Sequence, residues 1–332
     1  MTASTIQPDR ILHELSELWV SFGKQNGDDS DGVLRACAMT LVVLADAAED
    51  ANQIGETLAA LMREHPSRAI VVRVSDSQEP ALEARVFAQC WMPFGQRRQI
   101  CCEQIEISSS TGSLGDVPAV VLPLVVADLP VILWSRPLRL LATPAWRDLA
   151  RIATKTIIDS APFPDPREAL QRLARATASG SLLADLAWTR LTRWRELIAQ
   201  IFENPVYFSH LPSITAVTIH YTEEAPGPWY MAAWLQQCLE RSGGKPRVRL
   251  AQSAGPCDSG LAGIEFESAG LNVAVRRVEG SAAEVQVNTL VNRTVFPESS
   301  DYVLLREELS IAGRDPIYDA TLPLAAALAG KS

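Results

Sequence analysis

Cysteine, histidine and aromatic side chains are scarce in this sequence. Six cysteines and four histidines occur in 332 residues, and aromatic residues make up 6%. The cysteines are too few and too scattered for a disulfide framework, so we predict reduced, buried thiols, including the adjacent Cys101 and Cys102. The histidines are far apart, and neither C-x-x-C nor H-E-x-x-H occurs. The spacing therefore predicts no metal site.

The glycine-rich loops that bind phosphate groups are also missing. The sequence contains neither G-x-x-x-x-G-K-[ST] nor G-x-G-x-x-G between a predicted strand and a helix, and the nucleophile motif G-x-S-x-G is absent. We therefore expect no nucleotide cofactor and no catalytic residues. A serine, histidine and aspartate drawn from anywhere in a chain is not evidence for a catalytic triad.

Acidic residues outnumber basic residues in this sequence. Lys and Arg total 30 against 39 Asp and Glu, and the formal charge is −9. With no run of five basic residues, neither nucleic acid nor an anionic membrane is an expected partner. The apolar runs are too short and too often interrupted by proline to span a bilayer, and the N-terminus does not resemble a signal peptide, so we expect a cytoplasmic protein. Its 47% hydrophobic content predicts a large core and about two domains.

The first half alternates helix and strand patterns. Helical periodicity is found over 11–22, ending at Gly23, and a polar loop over 23–32 separates this helix from the first strand. The pattern predicts a Rossmann-like, mostly parallel sheet with a β-hairpin whose turn is PFGQRR, 93–98. The predicted strands cover 34–45, 69–74, 84–92, 99–107, 129–134 and 154–160, and further helices cover 51–62, 116–124 and 144–152.

Three prolines in APFPDP, 161–166, mark a domain junction. We therefore predict an N-terminal α/β domain over 1–162 and a C-terminal domain over 167–332. One long linking helix over 182–202 follows from the apolar stripe that includes Leu191 and Trp194. Beyond it, a strand over 214–221, another helix, several strands and terminal helices predict an α+β domain, so the chain as a whole is of the α/β class.

Polar residues directly follow several predicted strands. Ser75 and Asp76 form one such pair, and the candidate ligand-binding residues are Ser135, Arg136, Asp159 and Ser160. In an open α/β sheet, ligands bind beyond the carboxyl ends of the strands, where an arginine and hydroxyl groups would suit a phosphorylated sugar. The alternative is that these are ordinary polar strand ends.

A second candidate site lies on DLAWTRLTRWRELIAQ, 185–200. Tryptophan and arginine are enriched at protein interface hot spots, which makes this segment a candidate partner-binding surface. Trp194 belongs to the apolar stripe and is expected in the core. A contact inside the protein is an equally good interpretation of the others. The candidate partner-binding residues are Trp188, Arg190, Arg193 and Arg195.

Several segments in order resemble the OpcA family of glucose-6-phosphate dehydrogenase assembly proteins. The resemblance is carried by HPSRAIVV, EQIEI, VVLPLVVADLPVILW, KTIIDS, DLAWTRLTRWRELIAQ and, near the end of the sequence, DPIYDATLPLAAAL. It spans most of the chain and is specific as a set.

The resemblance implies a non-catalytic assembly factor and allosteric activator of glucose-6-phosphate dehydrogenase that supports NADPH production in the oxidative pentose phosphate pathway. The residues alone leave two alternatives open. One is an enzyme or sensor that binds a sugar phosphate at the strand ends, which would make a small molecule an effector. The other is a chaperone that leaves after the dehydrogenase has assembled.

Overall fold

The chain forms two compact units that divide between Ile158 and Asp159. The computed structural model describes residues 6–25, 33–92, 99–257, 260–311 and 313–330. The first helix runs to Gln25, two residues beyond its predicted end. The remainder of the predicted polar loop, 26–32, and the PFGQRR turn, 93–98, lie outside the described residues.

The first unit contains helices and strands in alternation. Its helices are α1 (Pro8–Gln25), α2 (Ala51–Leu61), α3 (Val117–Val121) and α4 (Pro144–Ile152). Its strands are β1 (Leu34–Arg35), β2 (Met39–Asp46), β3 (Ser67–Ser75), β4 (Leu82–Trp91), β5 (Ile100–Ser110), β6 (Val131–Ser135) and β7 (Lys155–Ile158). The predicted strand over 34–45 is thus two strands, and the predicted helix over 116–124 is α3 with short 3-10 turns on either side.

The strands of the first unit lie in the order β1-β5-β3-β2-β6-β7, and β4 pairs with β5. All these pairs are parallel except β4 with β5, which confirms the mostly parallel sheet and the hairpin. The chain passes outwards through β2, β3 and β5 and then returns to the other side of β2 at β6. The order of the strands therefore reverses between β2 and β6, where ligands bind in sheets of this kind.

The hairpin overturns one prediction about the cysteines. Cys90 on β4 lies directly opposite Cys101 on β5, and the two form a disulfide bond. Directly opposed side chains on antiparallel strands are close enough to join, but the sequence does not reveal which residues will be opposed. Cys102 points to the other face and is a free, buried thiol, and this burial raises its pKa to about 11.

Helix α1 is attached to the sheet by apolar and polar contacts. Ile11 and Leu15 are buried in the core of the first unit. One turn further on, the indole of Trp19 donates a hydrogen bond to Glu103 at 2.6 Å. Arg35 and Arg68 also pair with this buried carboxylate, each at 2.6 Å. The charge of Glu103 is thereby balanced inside the fold.

The second unit is α+β, as predicted. Its helices are α5 (Pro166–Ala178), α6 (Leu186–Thr189), α7 (Thr192–Glu203), α8 (Pro205–Phe208), α9 (Pro226–Arg241), α10 (Asp301–Ser310) and α11 (Pro316–Ala329). Its strands are β8 (Leu183–Asp185), β9 (Ile214–Tyr221), β10 (Arg247–Gln252), β11 (Leu261–Ser268), β12 (Leu271–Val278), β13 (Ala282–Val287) and β14 (Leu290–Val295).

A six-stranded sheet organises the second unit in the order β10-β9-β11-β12-β13-β14. Strands β9 and β10 are parallel and are connected by α9, whereas the other neighbours are antiparallel. Helix α9 packs on β9 and β10, and α5 and α11 pack against α9. Val217, Ile219 and Phe266 are buried on the sheet, in the core of this unit.

The long helix predicted over 182–202 is wrong in one respect, because three elements share this segment. Strand β8 comes first, and the side chain of Asp185 then caps α6 by accepting a hydrogen bond from the Ala187 N–H. The helix is interrupted after Thr189 and resumes as α7. The apolar stripe was correctly identified, since Leu191 and Trp194 are buried. A capping aspartate inside an apolar stripe is what the helical periodicity did not reveal.

Candidate functional site

The crevice between β2 and β6 in the first unit is occupied by the chain's own side chains. The loop after β2 has the sequence Ala-Ala-Glu-Asp and contains no glycine. Its Glu49 carboxylate accepts a hydrogen bond from the Asp46 N–H at 2.7 Å and pairs with Arg136, which follows β6. In dinucleotide-binding sheets this loop binds a pyrophosphate. Here a carboxylate lies at the carboxyl end of β2.

Two further arginines fix the same loop. Arg73 donates to the carbonyl oxygens of Ala47 at 2.9 Å and of Glu49 at 2.6 Å. Arg139 pairs with Asp46 and donates to the carbonyl of Val74 at 2.9 Å. These bonds connect β2, β3 and the segment after β6. The conformation of the crevice is therefore set by internal ion pairs.

The structure places the four predicted ligand residues in different units. Ser135 and Arg136 belong to the first unit, where Arg136 pairs with Glu49 and stacks 4.7 Å from the ring centroid of Trp134. The buried Ser135 hydroxyl has no hydrogen-bond partner within the described part of the chain. Asp159 and Ser160 begin the second unit and have partners there. That these residues share a ligand stays a prediction.

Asp159 forms a two-point ion pair with Arg190. The two terminal nitrogens of the guanidinium donate to the two carboxylate oxygens at 2.7 and 2.6 Å. Burial works to lower the pKa of Arg190, but the hydrogen bonds to Asp159 together with the charges of nearby aspartates outweigh it and raise that pKa above its ordinary value. Both side chains are largely buried. This pair fixes the start of the second unit to the turn after α6.

Asp185 is the polar centre of the same region. Its carboxylate accepts hydrogen bonds from the backbone of Ser160 at 2.9 Å and of Ala187 at 3.0 Å, and from the Tyr230 hydroxyl at 2.8 Å. The Ser160 hydroxyl donates a further bond. Burial, together with the charge of Asp159, raises the pKa of Asp185 to about 6. A carboxylate with this many donors is a structural capping group.

Trp188 lies inside the second unit. It is 2% exposed, and its ring centroid is 5.8 Å from that of Tyr230 and 6.0 Å from that of Tyr318. The indole N–H donates to Asp315 at 3.0 Å. The Arg195 guanidinium lies 3.8 Å from the centroid of the Trp188 ring, and burial lowers the Arg195 pKa. These contacts correspond to the alternative interpretation of the tryptophan, a contact within the protein.

The outer side of α7 borders an open groove of about 480 Å³. We define the α7 groove by Arg195 and Ala199 of α7, Trp234 of α9, Glu307 of α10 and Ile317 of α11, which all line it. Ile317 is 45% exposed. Burial raises the pKa of Glu307. The groove combines exposed apolar surface with two arginines, Arg195 and Arg314, and three acidic side chains, Glu196, Glu307 and Asp315.

The four predicted partner residues have different environments. Arg193 is exposed on α7 and Arg195 lines the α7 groove, whereas Trp188 and Arg190 have partners inside the unit. Sequence reasoning missed Trp234 and Ile317, which are distant along the chain. Trp234 could have been noticed because it lies on a predicted helix, the one that follows the strand over 214–221. Helical periodicity, however, does not show which helices will be neighbours.

The described ranges of the chain lack two kinds of feature. No group of three or more His, Cys, Asp or Glu side chains is placed there to hold a metal ion. Among the same residues, no helix has both the length and the apolar character needed to cross a lipid bilayer.

The fold and the internally occupied crevice define a two-unit α/β protein, and each unit contains a segment that matches a known family. Residues 58–175 match the model described as the glucose-6-phosphate dehydrogenase subunit N-terminal domain. Residues 181–322 match the model of the C-terminal domain of the same subunit. The chain belongs to the OpcA family.

Two relatives are OxPP cycle proteins named OpcA. The chain is 31% identical over 185 residues to the Nostoc punctiforme protein, a match that covers 53% of this chain and 38% of that one. It is 28% identical over 175 residues to the Synechocystis sp. protein, covering 52% of this chain and 36% of the relative. The matches thus span well under half of the relatives' lengths.

Among solved structures, a 3-ketoreductase from Actinomadura kijaniata, KijD10 with NADP, aligns over 88% of this chain and 96% of its own. The TM-score is 0.48 and the identity 10%. The ketoreductase activity and the NADP belong to that protein.

Proposed function

We propose that this protein is a non-catalytic binding partner of glucose-6-phosphate dehydrogenase that promotes its assembly and its active state. The observation that carries the proposal is the match of both halves of the chain to models described as domains of a subunit of that dehydrogenase. The consequence would be greater NADPH production in the oxidative pentose phosphate pathway.

The occupied crevice of the first unit supports a role without catalysis. A pyrophosphate needs close approach to backbone N–H groups at the end of the first strand, which glycines permit. In this chain Glu49 accepts the Asp46 N–H at that place and pairs with Arg136. A phosphate would have to displace a carboxylate that arginine already neutralises.

The α7 groove and Arg193 are the surface that we propose for the dehydrogenase. Tryptophan and arginine anchors at the centre of a concave surface are typical of protein interfaces, and Trp234 and Arg195 fit this description. Ile317 adds exposed apolar area. Arg193 lies on the exposed side of α7, where a charge contributes to the rate of association more than to affinity.

Activation requires only a preference for one state of the dehydrogenase. A partner shifts an equilibrium by the difference in its affinity for the two states. A tenfold shift towards the active assembly corresponds to about 1.4 kcal/mol of differential binding. This is within reach of a single well-packed interface contact.

The test measures activity and complex formation together. Purified dehydrogenase is assayed with and without this chain while the mass of the complex is followed by light scattering. We expect higher activity together with a heavier species. A dehydrogenase that neither changes activity nor binds the chain would overturn the proposal.

A variant separates the proposed surface from the rest of the protein. We expect Arg193→Glu combined with Ile317→Glu to weaken activation at least tenfold, because the first substitution reverses a charge and the second places a charge on apolar surface. Arg151→Glu, on the exposed face of α4, is the matched control. Full activation by the folded double variant would exclude the α7 groove. Arg190 is not substituted, since breaking its pair with Asp159 would cost about 3 kcal/mol of stability.

A further inference from the structure

A separate cavity of about 380 Å³ lies within the second unit, beside the crossover formed by β9, α9 and β10. Small-molecule sites in proteins are typically concave, mostly apolar and roughly 300–1,000 Å³ in volume, with a few polar groups that orient the ligand. The cavity falls in this range. Its lining is distinct from that of the α7 groove.

The floor of the cavity is apolar. Val248 and Leu250 on β10 pair with Val217 and Ile219 on β9, and these residues alternate with positions that face the other side of the sheet. Arg249 lies between Val248 and Leu250, and its side chain bonds to Thr218 at 2.7 Å on that other side. Arg249 therefore borders the cavity through its backbone.

The wall of the cavity is formed by the first turns of α9. Pro228, Trp229 and Ala232 line it, and Trp229 is half-buried, so one part of its ring borders open space. Tyr221, at the end of β9, adds a second aromatic ring. An indole beside an aliphatic floor is a surface on which a flat ring can stack.

Two charged side chains, one cation and one acid, also line the cavity. The Arg167 guanidinium, from the start of α5, lies 5.9 Å from the centroid of the Trp229 ring. Glu224 is exposed and also lines the cavity. A ligand that stacks on Trp229 would reach Arg167 with a single anionic group, whereas Glu224 would disfavour a second anionic group.

The backbone around the rim is fixed in place. Gly260 has a φ of +79°, and its carbonyl accepts a hydrogen bond from the Thr222 N–H at 3.0 Å. A Cβ atom at Gly260 would lie 2.9 Å from that of Ala225 and 3.0 Å from the Glu223 carbonyl oxygen. The segment between β9 and α9 is thus held closely by this glycine.

We infer that this cavity is a binding site for a small molecule that has a flat ring and one anionic group. The ring stacks on Trp229 above Val248 and Leu250, and the phosphate or carboxylate pairs with Arg167. The inference concerns the isolated chain and does not depend on any role with the dehydrogenase.

The experiment titrates the full chain with 2-naphthyl phosphate by isothermal titration calorimetry. We expect saturable one-to-one binding. 2-Naphthoate presents a carboxylate on the same ring, and its affinity relative to the phosphate identifies which anion the site prefers. Inorganic phosphate and 2-naphthol each lack half of the required chemistry and should bind at least about tenfold more weakly.

Matched variants assign the binding to the cavity. Trp229→Leu and Arg167→Gln should each weaken binding by about tenfold or more, and Arg167→Lys should restore part of it. Trp234→Leu is the control for Trp229, because it removes a tryptophan from the same helix, α9, but at the α7 groove. Arg172→Gln is the control for Arg167, because it removes an exposed arginine from the same helix, α5. Both controls should bind normally.

Three results would overturn the inference. The first is no binding of either naphthyl anion to the folded chain. The second is an affinity for 2-naphthol equal to that for 2-naphthyl phosphate, which would show that Arg167 does not bind the anionic group. The third is unchanged binding by Trp229→Leu with circular dichroism equal to that of the parent chain. A chain that binds these probes but fails to activate the dehydrogenase would retain the site and lose only the proposed function.

Discussion

Asp185 is an acidic side chain with no exposed surface. It makes hydrogen bonds near the start of the second unit. It caps α6 and accepts hydrogen bonds from Ser160 and Tyr230. Burial raises its pKa to about 6. The charged form is therefore less favourable in the folded chain than in the unfolded chain, where an aspartate titrates at about 4.

The sign of the pH dependence follows from this difference. The contribution of the protonated carboxyl group to stability is complete below about pH 4 and is lost as the pH rises through about 6. We expect Asp185→Asn to remove this loss, so that the variant gains roughly 3 kcal/mol in stability relative to the parent chain as the pH rises from 4 to 8. Urea denaturation at several pH values measures the change.

The geometry permits this substitution. An asparagine oxygen can accept the two backbone bonds from Ser160 and Ala187, while its amide donates to the hydroxyls of Ser160 and Tyr230. Asp148→Asn, at an exposed position on α4, is the control and should leave the pH profile unchanged. A parallel profile for Asp185→Asn and the parent chain would show that Asp185 does not titrate in this range.

At the scale of the element, the disulfide between β4 and β5 gives a direct prediction. Unfolded but unreduced protein should titrate as four free thiols out of six cysteines, because Cys90 and Cys101 are joined. Cys90→Ser combined with Cys101→Ser should lower the free energy of unfolding by about 3 kcal/mol, the loop-closure contribution expected for a short loop.

A reductant provides the comparison. It should lower the melting temperature of the parent chain to that of the double serine variant and leave the variant unaffected. Six titratable thiols in freshly purified, unreduced protein would contradict the disulfide.

Elements with local signals could be predicted from the sequence. The apolar run of β3 and the helical spacing of α2 depend on neighbouring residues, and both were found near their predicted positions. The division of the predicted helix over 182–202 depends on Asp185 meeting Ser160 and Tyr230, which are distant along the chain. The Cys90–Cys101 bond depends on the pairing register of β4 and β5. A shift of one residue in this register would separate the two cysteines.

At the scale of the whole molecule, persistence of the complex separates a subunit from a chaperone. If the chain is a subunit, it should co-elute with the dehydrogenase through gel filtration in a fixed ratio. If it acts only during assembly, activity should remain high after it has been removed. We expect co-elution, and loss of activation on dilution below the dissociation constant.

The candidate sites were only partly predictable. The strand-end position of Arg136 was predicted, but its partner Glu49 was not, because the loop after β2 gives no signal of which side chain turns inwards. The segment around Arg193 was also predicted to be a candidate partner-binding surface. The groove beside it combines α7, α9, α10 and α11, whose packing depends on tertiary contacts that periodicity does not encode.

The ion pair between Glu49 and Arg136 also bears on how this scaffold could be redesigned. A carboxylate held against arginine occupies the carboxyl end of β2, where a dinucleotide-binding sheet holds phosphate. Installing a nucleotide there would require removing one acidic side chain and adding glycines to a four-residue loop.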